Sequence, residues 1–148
     1  MERAEPHLLV AAICQQANQD QYGSLSLTNL VEQLIAGSSD PNAPEEMPPF
    51  RFDADLVIIF ASGDATGERT VTVIAEAPDG ERLPPVDQTI FLRGEDYRST
   101  IVSSLSLDIT QVGVYWFDVL LDGSLVTRIP IRVGYERGPR EPWMDLIR

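Results

Sequence analysis

A single histidine and a single cysteine, His7 and Cys14, are the first residues to test for chemistry in this 148-residue chain. A nucleophile–base pair needs both side chains within hydrogen-bond reach. They share the apolar run HLLVAAICQQ, which reads as one strand. Their odd spacing there sends them to opposite faces, about 23 Å apart. One residue of each kind also falls short of a zinc ligand set. No Gly-x-Ser-x-Gly elbow presents a serine. No catalytic residue is assigned, and His7 reads as a core or rim side chain.

Paired carboxylates are the second possibility. Asp53 and Asp55 in FDADL share a strand face about 6.6 Å apart. That separation falls among those of glycosidase acids, and with Asp64 or Glu68 of the next loop the pair would suit calcium. Acids at alternate positions near a strand entrance are more commonly a solvated rim. Nothing obvious in the sequence desolvates one of them, as acid–base work requires. Glu45-Glu46 and Glu95-Asp96 read as solvated loop pairs.

The third pattern is aromatic and basic. GVYWFDVLLDGSLVTRIPIRV, residues 113–133, is a hairpin around Asp122-Gly123. A two-residue loop would place Phe117 opposite Arg128. A three-residue loop, with Gly123 left-handed as a bulge, pairs Val119 with Leu125, Phe117 with Thr127 and Tyr115 with Ile129. It gathers one apolar face, which is what fixes register, and is preferred here. The reverse face then carries Trp116, Asp118, Leu120, Val126, Arg128, Pro130 and Arg132. Pro130 cannot donate to a ladder, so its strand is expected at an edge or beside a bulge. Tyr115 after Gly113 has the look of a tyrosine corner, with the Gln111 backbone as acceptor for its hydroxyl.

Composition narrows the partners. Twenty-three acids against eleven bases give a net charge of −12, and every base is arginine. Without lysine there is neither Schiff-base chemistry nor a phosphate-binding loop of the usual kind. Residues 1–68 carry a net −9 and residues 69–148 a net −3. Such a surface repels nucleic acid and anionic lipid, while it also serves solubility. LLVAAIC lacks the basic flank and small-residue cleavage site of a signal peptide. No apolar stretch reaches the roughly 18 residues of a membrane span. The lone cysteine cannot form an internal disulfide, and the cytoplasm is the expected compartment.

Short segments between turn signals place these residues on strands. HLLVAAICQQ and the Leu56–Phe60 run are apolar on both faces, as central strands are. In RTVTVIAEA, Val71, Val73 and Ala75 share a face; in STIVSSLSLDI, Ile101, Leu105 and Leu107 do. SSDPNAPEEMPP, residues 38–49, is a proline-rich acidic loop. TNLVEQLIAG is ambiguous: Leu27, Leu30, Val31, Leu34 and Ile35 fit helical spacing, with a bulged strand as the rival. The count is about eight strands, the pattern of an all-β sandwich.

PHLLVAAIC, GSLSL and the last hairpin resemble a family of small bacterial proteins catalogued only as a domain of unknown function. The likeness runs from Pro6 to Val133. It implies an extended segment over residues 24–35 and brings no activity or functional residues with it.

The expectation is an immunoglobulin-like antiparallel β-sandwich over residues 1–133, followed by a tail, 134–148. The tail carries Trp143, Met144, Leu146 and Ile147, which either fold back on the sandwich or dock on a partner. The expected function is a non-catalytic interaction module for a protein partner or a second copy. It would bind through Trp116, Arg128 and Arg132, the acidic loop or the tail, with no cofactor. The alternative is a calcium- or carbohydrate-binding domain using Asp53, Asp55 and Asp64. A hydrolase with paired carboxylates ranks third.

Overall fold

The computed structural model, which describes residues 4–38 and 42–137, arranges the alternating segments as nine strands. These are β1 (His7–Gln19), β2 (Leu25–Leu30), β3 (Gln33–Ser38), β4 (Phe50–Ala61), β5 (Thr66–Glu76), β6 (Val86–Arg93), β7 (Arg98–Ile109), β8 (Gly113–Leu121) and β9 (Ser124–Arg137). No helix occurs among the described residues, so none there is long and apolar enough to cross a membrane.

Two sheets form, ordered β2-β1-β4-β7 and β3-β9-β8-β5-β6. Every pairing is antiparallel except that of β3 with β9. Alternate residues of each strand turn inward, as a half-buried sheet requires. Phe52, Leu56, Ile58 and Phe60 of β4 thus meet Val71, Tyr115, Phe117 and Val133 of the other sheet in one core. The molecule is a two-layer β-sandwich, with one strand more than the sequence count.

The additional strand comes from TNLVEQLIAG. The chain bends at Val31–Glu32 and changes sheets, so β2 lies beside β1 while β3 lies beside β9. At the bend the Val31 N–H donates to Ile13 O at 2.8 Å, and the Arg132 N–H donates to Glu32 O at 3.2 Å. Asn29, just before it, has φ +52°. Two short period-2 segments joined out of phase imitate a 3.6-residue period, which explains the helical signal.

Two further departures come from bulges. In β1, His7 and Leu8 pair with Ala61 and Phe60, whereas Val10 pairs with Ile59. The extra residue, Leu9, resets the alternation. His7 and Cys14 consequently lie opposite Ala61 and Asp55, which share a face of β4. They are on the same face, contrary to the expectation, though far apart along the strand.

The last hairpin does not use the three-residue loop. Leu121 pairs with Ser124 across a two-residue turn in which Asp122 (φ +48°) and Gly123 (φ +85°) are both left-handed. This is the type I′ turn that matches strand twist. The bulge lies further on, between Leu125 and Thr127. It pairs Val119 with Thr127, Phe117 with Ile129 and Tyr115 with Ile131. The expected inward set survives except for Leu125, which pairs with Leu120 and is 57% exposed. Pro130 lies two residues before Arg132, where the β3 pairing begins. Beyond it, β9 is an interior strand.

β9 also continues four residues past the expected boundary at Val133. Tyr135 packs against the core, and its hydroxyl donates to Pro44 O at 2.8 Å. The expectations for Trp143, Met144, Leu146 and Ile147 lie outside the described residues.

Candidate functional site

The outer face of the larger sheet concentrates charge in an ordered way. Registers of β5, β8 and β9 put Glu76, Trp116 and Pro130 in one row and Ile74, Asp118 and Arg128 in the next. The Pro78-Asp79-Gly80 turn folds the chain back so that Arg82 bridges to Glu76. That turn is closed by Gly80 N–H donating to Ala77 O and by Glu81 N–H donating to Asp79 Oδ1, each at 2.9 Å.

Two arginines and two acids then close a ring of alternating sign. Arg128 donates through Nε to Asp118 Oδ1 at 2.7 Å and through Nη2 to Glu76 Oε2 at 3.0 Å. Arg82 reaches Glu76 Oε1 at 3.3 Å and Asp118 Oδ2 at 3.4 Å. Asp118 is the buried member, its side chain 8% exposed, while Arg128 and Arg82 keep 38% and 46%. A buried carboxylate is tolerable only when paired in this way. The Arg128 guanidinium also stacks 4.6 Å from the centre of the Trp116 ring, a cation–π distance. Its hydrogen bond to Asp118 pushes its pKa up most, desolvation opposes this, and the charges of Asp118 and Glu76 add to the rise.

Trp116 and Arg128 are thus brought together as the sequence implied. Arg132 lies on the same face, exposed and opposite Val114, one pair beyond Trp116–Pro130. Glu76 and Arg82 escaped the sequence reading. Only the pairing of β5 with β8 places Glu76 beside Trp116, and no local pattern announces that.

Tyr115 is 1% exposed. Its hydroxyl accepts from the backbone N–H of Thr110 at 3.0 Å and of Gln111 at 3.2 Å. The corner expected there is built, with donor and acceptor reversed: Gln111 N–H donates rather than its carbonyl accepting. The Gln111 side chain accepts from Asp79 N–H at 3.2 Å. Gly113, at φ +134°, lets β8 start against Pro78, whose Cβ would lie 2.8 Å from an added Cβ.

The acids of β4 occupy the outer face of the other sheet. Asp53 accepts from the Ser106 hydroxyl, and Asp55 Oδ2 accepts from Ala17 N–H at 2.8 Å. Arg51 pairs with Asp108 at 3.1 Å beside them. Asp64 and Glu68 follow the opposite end of β4, so the structure does not gather them with Asp53 and Asp55. Among the described residues no group of three His, Cys, Asp or Glu is placed to hold a metal. Cys14 is fully buried. Desolvation first, and the Asp55 charge second, raise its thiol above the usual value of 9.0.

The fold defines a two-sheet β-sandwich carrying an arginine–tryptophan platform on one outer face. A model described as a family of unknown function (DUF6941) matches residues 9–134, and the chain belongs to that family. Among solved structures it is similar to a β-glucosidase from Listeria innocua, determined alone and in complex with glucose. That match has 11% identity and a TM-score of 0.44, and covers 84% of this chain and 16% of the enzyme. No curated protein matches the chain.

Proposed function

We propose that the chain is a non-catalytic binding module that meets a protein partner, another protein or a second copy, through the outer face of β8 and β9. The observation that carries this is the closed Glu76–Arg128–Asp118–Arg82 ring with Trp116 beneath Arg128. Tryptophan and arginine supply most interface hot spots. Here both are held by neighbours on a sheet rather than a loop, so little side-chain freedom is lost on docking. Leu125 and Val126, exposed at 57% and 36% near the same hairpin, extend the platform with apolar surface.

The dispersal of the reactive side chains supports the non-catalytic part of this reading. His7 stands at the start of β1, Cys14 is buried beyond substrate reach, and the acids of β4 face outward with hydrogen-bond partners. A net charge of −12 disfavours nucleic acid and anionic membrane as the partner. One buried cysteine suits the reducing cytoplasm.

The test is affinity capture from native cells with the wild-type chain, Trp116→Ala and Arg128→Glu in parallel. A partner retained by wild type and lost by both variants, with unchanged far-UV circular dichroism, is the expected result. Equal retention by all three would remove this face from consideration.

A further inference from the structure

The two sheets are not packed together evenly. Where β6 and β7 border each other, the Ser99 hydroxyl donates to Phe91 O at 2.8 Å and Gln88 Nε2 donates to Ser103 Oγ at 2.6 Å. Past that second contact a cavity of about 340 Å³ lies between the sheets. It holds roughly ten groups the size of a water molecule, at about 30 Å³ each. β6 and β7 are the last strands of their sheets, so the space is a cleft that opens to solvent between two sheet edges. The walls include Ile58, Val73, Ala75, Ile101, Leu105 and Phe117, and exposed Pro84, Val86 and Asp108 carry the lining out to the surface.

The space has an origin in the sequence. Ala75 and Ser103 are the short side chains among inward positions otherwise filled by valine, isoleucine, leucine, phenylalanine and Gln88. Pro84 and Pro85 carry the chain between the Leu83 N–H···Ala75 O bond and the Val86–Val73 pair, where β6 begins. Neither proline can donate a hydrogen bond towards β7.

Ser103 and Gln88 are the polar side chains on the inward side of this wall, and exposed Arg51, Ser104, Ser106 and Asp108 line its rim. The Gln88–Ser103 contact uses the serine oxygen as acceptor and one amide hydrogen as donor. It leaves the serine hydroxyl proton and the second amide hydrogen to be donated and the glutamine carbonyl oxygen to accept. A hydroxyl group both accepts and donates, so it satisfies a donor and the acceptor together. A carboxylate can only accept and would leave the glutamine oxygen without a donor; an ammonium can only donate and would face the serine proton. Arg51 at the rim is already paired with Asp108 at 3.1 Å and lies 4.0 Å from Asp53, so it offers little to an anion. The net charge of −12 disfavours an anionic ligand further.

We infer that the cleft between β6 and β7 binds a neutral aliphatic alcohol, a single chain of about ten carbons whose hydroxyl sits on the Gln88–Ser103 pair. This site is separate from the outer face of β8 and β9, and neither depends on the other. The chain fills apolar volume that water, lacking two or more polar partners along most of the wall, occupies poorly.

The experiment titrates the full chain with 1-decanol, decanoate and decyltrimethylammonium, followed by calorimetry and native mass spectrometry. Saturable one-to-one binding of the alcohol, at least tenfold tighter than either ion, is expected. Ala75→Phe should fill the cavity, weaken the alcohol by tenfold or more, and leave the melting temperature unchanged or higher. Ser103→Ala should lower the preference for alcohol over decanoate about fivefold. Methyl shifts of Ile58, Val73, Ile101 and Leu105 in the unmutated protein locate the ligand even if the phenylalanine variant does not fold. Equal binding of all three amphiphiles, preference for an ion, undiminished binding to folded Ala75→Phe, or methyl shifts confined to other residues would each overturn the inference. So would the absence of saturable binding, which would leave the cleft to an apolar segment of another protein.

Discussion

Replacing Tyr115 by phenylalanine removes one oxygen and almost nothing else. The ring stays in a site that is 1% exposed, so no cavity opens. What is lost is the acceptor for two backbone donors, Thr110 N–H at 3.0 Å and Gln111 N–H at 3.2 Å. Each ordinary hydrogen bond contributes about 1 kcal/mol net, and a buried donor left unpaired costs about 1–3 kcal/mol. Thr110 is exposed and Gln111 half-buried, so water re-satisfies part of the loss, giving a net of about 1–3 kcal/mol. For a domain of this size that lowers the melting temperature by about 3–10 °C. Urea unfolding followed by circular dichroism should give a lower midpoint with an unchanged slope, and the amides of Thr110 and Gln111 should exchange faster with deuterium. Tyr135→Phe is the control, since its hydroxyl donates to Pro44 O in an exposed setting, and its loss should stay within about 0.5 kcal/mol. Equal effects of the two variants, or unchanged exchange at Thr110 and Gln111, would refute the structural role assigned to this hydroxyl.

Three further outcomes are expected. Gly113→Ala forces a Cβ to 2.8 Å from Pro78 Cβ at φ +134°, and should cost at least about 1–3 kcal/mol from backbone strain alone, read as a drop in melting temperature. Asp122 accepts from Thr70 N–H at 3.0 Å and pairs with Arg69 at 3.1 Å, where the arginine side chain is 2% exposed. Asp122→Ala should therefore destabilise by about 1–3 kcal/mol, with Asp122→Asn intermediate in denaturant unfolding because it keeps an acceptor oxygen and tolerates the left-handed turn. Cys14 should resist thiol reagents until the chain unfolds. Its folded-state pKa is raised above 9.0 by desolvation and then by Asp55, so the stability it contributes is present below the unfolded value and lost as pH rises through the folded one. Above about pH 9 the wild type should lose stability faster than Cys14→Ala, and parallel curves would count against that assignment.

Much of the layering was legible because burial repeats every second residue. Leu56–Phe60, apolar on both faces, sits between β1 and β7, and Val71, Val73 and Ala75 turn inward together. Tyr115 was readable from its place after a glycine at a strand start. The misreadings share one cause, a single residue that shifts phase. Leu9 in β1 reverses which face Cys14 shares with His7, and Val126 moves the hairpin pairing after a turn of the other length. Over residues 24–35 the extended segment implied by the family resemblance is what forms, and the bend at Val31 accounts for the competing helical spacing. A bulge carries no marker in composition. The candidate face was half visible: Trp116, Asp118 and Arg128 alternate within one hairpin, whereas Glu76 and Arg82 join them through pairing between distant strands. The cleft was invisible, since Ser103 reads as one polar residue among several until β6 brings Gln88 to it.

The parallel pairing of β3 with β9 has a bearing on how the molecule forms. Gln33 finds its neighbour in Arg132, about a hundred positions later. At roughly 5–20 residues per second, a ribosome takes about 5–20 s to cover that interval. Until then β3 presents a bare edge, and the smaller sheet grows with its companion layer unfinished. Closure late in synthesis and the slow kinetics of long-range pairing are the consequences for the nascent chain.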